Sequence, residues 1–365
     1  MSIAPTSLGE LAPTPVWQAP MAGGASRPQL AAAVCEAGGL GFLAAGYKTP
    51  EAMYEELRQL RAATDRPFGV GLFLPQPPGP ADGSLTAYAE QLAGEAAWYE
   101  TELGETDAED ADYSDAFEAK VTLLRENPVA VVSFTFGCPD RAVLDAFADV
   151  GTLTVVTVTS AEEAATAAYA GAGALCVQGV EAGGHQGSFR NDPRADGTER
   201  GLLTLLAEVR EAVRLPLVAA GGIMRGAQIA AALAAGAEAA QLGTAFLVCP
   251  ESGANVIHKR AVLEGVLTRT ELTRAFTGRP ARGLVNRFVR EHGRYAPAAY
   301  PQLHWLTAPL RAAATSAGDA HGMALWAGQG HRLARDLPAG ELVGVLADEL
   351  RAALGDSPTA QEVSP

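Results

Sequence analysis

The stretch "LPLVAAGGIMRGAQIAAALAAGAEAAQLGTAFL", residues 215–247, decides how this chain folds. It opens on an apolar run, 215–223, with no polar alternation. Strands of a parallel sheet covered on both faces have that composition. The run closes on Gly221 and Gly222. An alanine-rich segment, 226–236, follows with helical spacing and a glycine stop. A second apolar run, 239–247, completes a strand–helix–strand unit.

The unit recurs outward from there. Apolar runs at 16–22 ("VWQAPMA"), 40–46 ("LGFLAAG"), 68–75 ("FGVGLFLP"), 130–137 ("AVVSFTFG"), 153–159 ("LTVVTVT") and 174–182 ("ALCVQGVEA") bring the strands to eight. Helical segments fall between them. "PQLAAAVCEAG" (28–38) stops at Gly38, and "SAEEAATAAYAG" (160–171) opens with Ser160 and Glu163 in capping-box spacing. Eight such repeats predict an α/β fold, a (β/α)8 TIM barrel. A doubly wound open sheet is the rival, and the regular alternation favours closure. Residues 1–249 are expected to form the barrel, with an acidic insert at about 76–128. Residues 250–320, after strand eight, are expected to form a helical substrate-binding or lid subdomain over the C-terminal mouth. Residues 321–354 return as helices to the barrel's outer layer, and 355–365 read as a frayed tail.

Composition narrows the function classes. The 365 residues are 48% hydrophobic but only 6% aromatic, so the core is built from Ala, Val and Leu. Net charge is −15, which argues against nucleic acid and anionic membrane as partners. From Asp82 to Glu118 there are twelve acids and no Lys or Arg, a pattern that reads as a solvated surface segment. Cys35, Cys138, Cys176 and Cys249 form no CxxC pair and read as reduced core thiols of a cytoplasmic protein. No basic-then-apolar leader and no uninterrupted spanning run is evident, and no metal-ligand set is assigned. Oligomeric state stays open.

Three constellations carry chemistry. Gly221 and Gly222 end strand seven, while Gln241, Leu242, Gly243 and Thr244 end strand eight. Barrel enzymes often bind phosphate at these two loops, with backbone N–H groups facing the anion. Tight helix–sheet packing is the competing explanation, and the coincidence of both sites favours phosphate. At the end of strand six, Gln178 precedes Gly183, Gly184 and His185. Gln178 suits the edge of a heterocycle, the glycines let a flat ring approach the backbone, and His185 projects over it from a loop. A loop histidine bonded to a carbonyl is the bland alternative. At the end of strand one, Ala19, Pro20 and Met21 form a rigid apolar shelf before a turn, which a plain strand–helix connection also explains.

The segments "PMAGGASRPQLAAAVCEAGGLGFLAAGY", "VQGVEAGGHQGSF", "AAGGI", "QLGTAFL" and "GRPARGLVNRF" together resemble the nitronate monooxygenases, once called 2-nitropropane dioxygenases. "LWAGQG" (325–330) is similar to their class I branch. The resemblance implies an FMN-dependent barrel that oxidises alkyl nitronates with O2 to a carbonyl compound and nitrite. It implies that Gln178, Gly183, Gly222 and Gln241 to Thr244 hold FMN, that Met21 lies near the isoalloxazine, and that His185 is the active-site histidine. Two positions depart from the family pattern. Gly71, in "GVGLF", is counted with the cofactor-binding positions but stands where Asn is frequent, and Thr135, in "SFTFG", stands where His is frequent. His185 is expected to bind the nitronate oxygens, protonated or as an N–H donor. For a neutral nitroalkane it would instead take the α-proton. Arg279 and Arg282 can reach an anionic substrate from the lid, with surface pairing expected for at least one. Tyr295, Tyr300 and Trp305 are weaker candidates for the mouth. The rivals are an FMN-dependent NAD(P)H:quinone or enoyl-thioester reductase on the same barrel and, more remotely, a non-redox phosphate-binding lyase or isomerase.

Overall fold

The structure is a computed structural model that describes residues 8–106, 112–194 and 197–355. The expected frayed tail lies, from 356 on, outside the described residues. Eight parallel strands form one sheet: β1 (Val16–Gln18), β2 (Phe42–Ala44), β3 (Gly69–Phe73), β4 (Val131–Thr135), β5 (Leu153–Val158), β6 (Ala174–Gln178), β8 (Leu217–Ala220) and β9 (Ala239–Leu242). The order is β1-β9-β8-β6-β5-β4-β3-β2. The ends meet where Leu40 donates to the Val16 carbonyl at 3.0 Å and accepts from Gln18 N–H at 2.9 Å. That seam is short, and a side chain extends it. The Gln18 carboxamide oxygen accepts from Phe42 N–H at 2.9 Å, so a fully buried glutamine closes the (β/α)8 barrel in place of a further backbone pair.

Two apolar layers hold the barrel. Inside it, Trp17, Phe42, Val131, Val155, Cys176 and Val218 fill the lower interior, with the Trp17 and Phe42 rings 5.7 Å apart. Outside it, the opposite faces of the same strands pack on the helices. Strands buried on both sides need no polar alternation, which is why the runs read as continuous in the sequence. The last helix, Ala339–Leu354, packs on helices Gly226–Ala234 and Pro28–Glu36. No helix among the described residues is long and apolar enough to cross a membrane.

Several local expectations change. The run 239–247 is half strand and half helix, because Gly243 breaks it and Thr244–Leu247 turn helical. Ser160 caps its helix by accepting Glu163 N–H at 3.2 Å. The Glu163 carboxylate, however, does not close a capping box. It accepts from Thr159 N–H and hydroxyl and from Phe189 N–H, at 2.7, 2.9 and 2.7 Å, and so ties the segment after His185 to the barrel.

The segment 250–320 is not wholly helical. Strands β10 (Thr270–Thr273) and β11 (Ala281–Leu284) form an antiparallel hairpin, and β7 (Gly184–His185) joins its edge. Helix Gln302–Ser316 covers it. The acidic insert is part of this lid rather than a free surface. Its Tyr88 and Leu92 pack with Phe276, Phe288, Leu303 and Leu306, and the Tyr88 hydroxyl donates to the Ala275 carbonyl at 2.9 Å. Glu95 is buried and accepts from Arg287 at 2.8 Å and from His292 at 3.1 Å. The Arg287 guanidinium holds the Glu95 carboxyl below its ordinary value. Five residues of the insert, 107–111, lie outside the described part.

Candidate active site

Between the C-terminal strand ends and the lid lies a cavity of about 410 Å³. Ala19, Pro20, Met21, Gln178, Gly183, Gly184, His185, Gly221, Gly222, Gln241, Leu242, Gly243 and Thr244 all line it. Gly71 does not. It lies behind Pro20, and a Cβ there would meet the proline ring at 2.7 Å. Its side-chain-free position makes room for the Pro20 shelf, so it is not a contact to anything in the cavity. Thr135 does line the cavity, with its hydroxyl 3.5 Å from that of Thr157.

One wall is rich in unspent backbone donors. Gly221 and Gly222 have φ of +127° and +68°, conformations that glycine adopts freely. The N–H groups of Gly222, Gly243 and Thr244 find no acceptor among the described residues. The Thr244 hydroxyl accepts from Gly328 N–H at 3.0 Å and thereby pins the "LWAGQG" segment to this wall. Gly183 has the same purpose. A Cβ there would stand 2.5 Å from the Gly328 nitrogen, so the residue also serves close backbone packing.

The opposite wall holds His185, and it is not in a loose loop. As part of β7 it pairs with Ala281, and Gln186 N–H donates to the Pro280 carbonyl at 2.9 Å. The Gln178 carboxamide fixes the same segment. It donates to the His185 carbonyl at 3.1 Å and accepts from Gly187 N–H at 2.7 Å. The imidazole sits among Phe136, Tyr300 and Trp326, with centroids 5.6, 6.0 and 5.6 Å away. Its Nε2 is 2.9 Å from the Thr277 hydroxyl. That hydroxyl has one proton and the Arg279 carbonyl at 3.3 Å to receive it. The direction of the His185–Thr277 bond follows the ring's tautomer: an Nε2–H ring leaves Nδ1 a bare acceptor, and an Nδ1–H ring leaves it a donor. Burial, then the charges of Arg279 and Arg311, push the His185 pKa from 6.5 down to about 3. That shift favours the neutral ring, and so the N–H donor over the imidazolium. Glu181 does not assist it, because both carboxylate oxygens cap the helix that starts at Leu202, at 3.0 and 3.1 Å.

The expected lid arginines are not on the surface. Arg279 is fully buried, donates to Gln76 at 2.7 Å and lies 4.2 Å over the Phe136 ring. Arg282 donates to the Val180 carbonyl at 2.8 Å and to the Thr270 hydroxyl at 3.2 Å. Neither lines the cavity. Tyr295 is exposed beneath Arg294, 4.4 Å from that guanidinium, and takes no part. Tyr300 packs behind His185, while Trp305 and Tyr300 line a second cavity alongside the first. Sequence reasoning missed Tyr47, Thr277, His304, Arg311 and Trp326, which also line the first cavity. Only the "LWAGQG" motif signalled one of them, Trp326.

Comparison with known proteins agrees with this geometry. Residues 6–349 match the profile of the nitronate monooxygenase family. Nitronate monooxygenases of Pseudomonas aeruginosa and Paraburkholderia phytofirmans are 42% and 40% identical, each over 92% of this chain and over 96% and 92% of their own lengths. The solved structure of nitroalkane oxidase from Streptomyces ansochromogenes is 64% identical, with a TM-score of 0.92, covering 96% of this chain and 99% of that one. FabK from Thermotoga maritima is 27% identical with a TM-score of 0.74, covering 96% of this chain and 97% of that one. The chain therefore belongs to the nitronate monooxygenase family of oxidoreductases.

Proposed function

We propose that the chain binds FMN and oxidises alkyl nitronates with O2 to a carbonyl compound and nitrite, with His185 as the active-site histidine. The observation that carries this reading is the pairing of two unlike walls in one cavity. One offers N–H donors at Gly222, Gly243 and Thr244 without acceptors among the described residues, which fits a phosphate. The other offers a held, neutral imidazole. Gln178, Gln241 and the Ala19–Met21 shelf line the space between them and suit a flat heterocycle. FMN, when bound, supplies the redox chemistry between substrate and O2.

The residues of this chain do the rest. The donor wall anchors the phosphate. Phe136, Trp326 and Tyr300 around the histidine exclude water. His185, kept neutral and oriented by Thr277, presents Nδ1 to the substrate. A nitronate has already lost its α-proton, and its oxygens would accept from Nδ1–H; a neutral nitroalkane would yield its α-proton to a bare Nδ1. An absorbance spectrum of the purified protein tests FMN directly, and nitrite release from a short nitronate under O2 tests the reaction. Anaerobic mixing separates the rival on the same barrel: prompt bleaching by NADH would support a reductase, and bleaching by nitronate alone supports the oxidation. A protein that stays colourless after FMN is added would return the donor wall to a non-redox phosphate site.

A further inference from the structure

We propose that Arg311 is the residue that recognises the substrate's negative charge, so that the cavity takes the nitronate anion in preference to the neutral nitroalkane. This rests on the functional reading above and deepens it. The chain carries a net charge of −15, yet no Asp or Glu is among the residues lining this cavity. Arg311 is the charged side chain that does line it.

The guanidinium is held but not neutralised. It stands on helix Gln302–Ser316, where His304, Arg311 and Thr315 share the face that borders the cavity. Nε donates to the Thr307 hydroxyl at 3.2 Å, and Nη2 donates to the His304 carbonyl at 2.8 Å. These contacts fix one edge of the fork. Nη1 has no acceptor among the described residues, and no carboxylate among them lies within ion-pair distance of the group. Its nearby phenol, Tyr47, has a pKa raised to about 12 and carries no charge. A half-buried cation without a counter-ion is costly unless an anion arrives with the ligand. His185 does not compete for the role, since its ring is neutral and its Nε2 is engaged by Thr277. Arg311 is also close enough to lower the His185 and His304 pKa values, which puts its charge at the histidine wall.

A nitronate spreads its charge over two coplanar oxygens, the shape that a planar guanidinium pairs with best. The neutral nitroalkane carries no net charge to match it. The test uses the FMN-loaded enzyme with one compound in both forms, preformed nitronate and freshly dissolved nitroalkane, by initial rates. Nitrate serves as an inert planar anion, its binding read by fluorescence quenching as well as by competitive inhibition. For Arg311→Met we expect KM for the nitronate to rise about 10-fold or more, the loss of one charge-assisted contact. KM for the nitroalkane should stay within about twofold on the same scale, and nitrate binding should be lost. Arg311→Lys should recover part of both effects, and unchanged FMN content in each variant excludes misfolding as the cause. Unaltered nitronate KM together with unaltered nitrate binding in Arg311→Met would overturn the proposal. Were the wild type to turn over neither form, the nitronate reaction would fall, while the nitrate measurement would still decide the arginine.

Discussion

Acid should destabilise this protein well above the range where carboxylates titrate. His185, His258 and His304 all line the cavity, and burial is the leading cause that depresses each, to about 3, 4 and 2 from 6.5. A histidine whose folded pKa is lowered leaves the unfolded chain binding more protons between the two values. Stability is therefore full above 6.5 and is lost as pH falls below it. At pH 5 the loss depends on the distance from 6.5 and hardly on the folded value, because all three folded values lie at least one unit lower. Each ring contributes about 2 kcal/mol, and the three together about 5 kcal/mol between pH 7 and pH 5 once cavity solvent is allowed for. That is a large part of the roughly 5–15 kcal/mol of a typical domain. Urea unfolding of FMN-free protein, followed by circular dichroism at both pH values, measures it without ligand linkage. His258, whose Nε2 donates to the Trp326 carbonyl at 2.8 Å, supplies the internal control. His258→Gln should remove about a third of the pH dependence. A difference below about 1 kcal/mol between pH 7 and pH 5 would refute neutral burial of these rings, and with it the protonation state assigned to His185.

Three further outcomes are expected. His185→Asn should keep FMN, measured by its visible spectrum, and lose nitronate kcat/KM by about 100-fold or more; full retention would remove the histidine from the chemistry. Restoring the family's frequent residue with Gly71→Asn should not improve FMN affinity, because the new Cβ stands 2.7 Å from Pro20; a stability loss of about 1–3 kcal/mol in urea is expected. Glu95→Ala should cost about 2–3 kcal/mol by leaving Arg287 and His292 without their shared carboxylate, and an unchanged Tm would mean that the insert does not anchor the lid.

The barrel was legible because its physics is local. Strands covered on both faces must be apolar throughout, and glycine stops several of the helices that turn back to the next strand. The runs at 16–22 through 239–247 therefore announce themselves without any knowledge of partners. The strand-end glycines announced the donor wall for the same reason. The hairpin 270–284 was hidden because its strands are four residues each and their charged members, Glu271 and Arg282, spoil any apolar signal. Glu95 was hidden in a run of acids, since nothing local tells a buried carboxylate from solvated ones.

The sequence by itself determined the eightfold strand–helix order, the glycine-rich strand ends and the position of His185 at one of them. Tertiary structure alone decided the state of that histidine and the polarity of the cavity. Thr277, which orients its ring, and Arg311, which charges the space before it, lie 92 and 126 positions further along the chain. A pKa is set by dielectric and by charges within a few ångströms, and neither quantity exists until the lid has closed over the barrel.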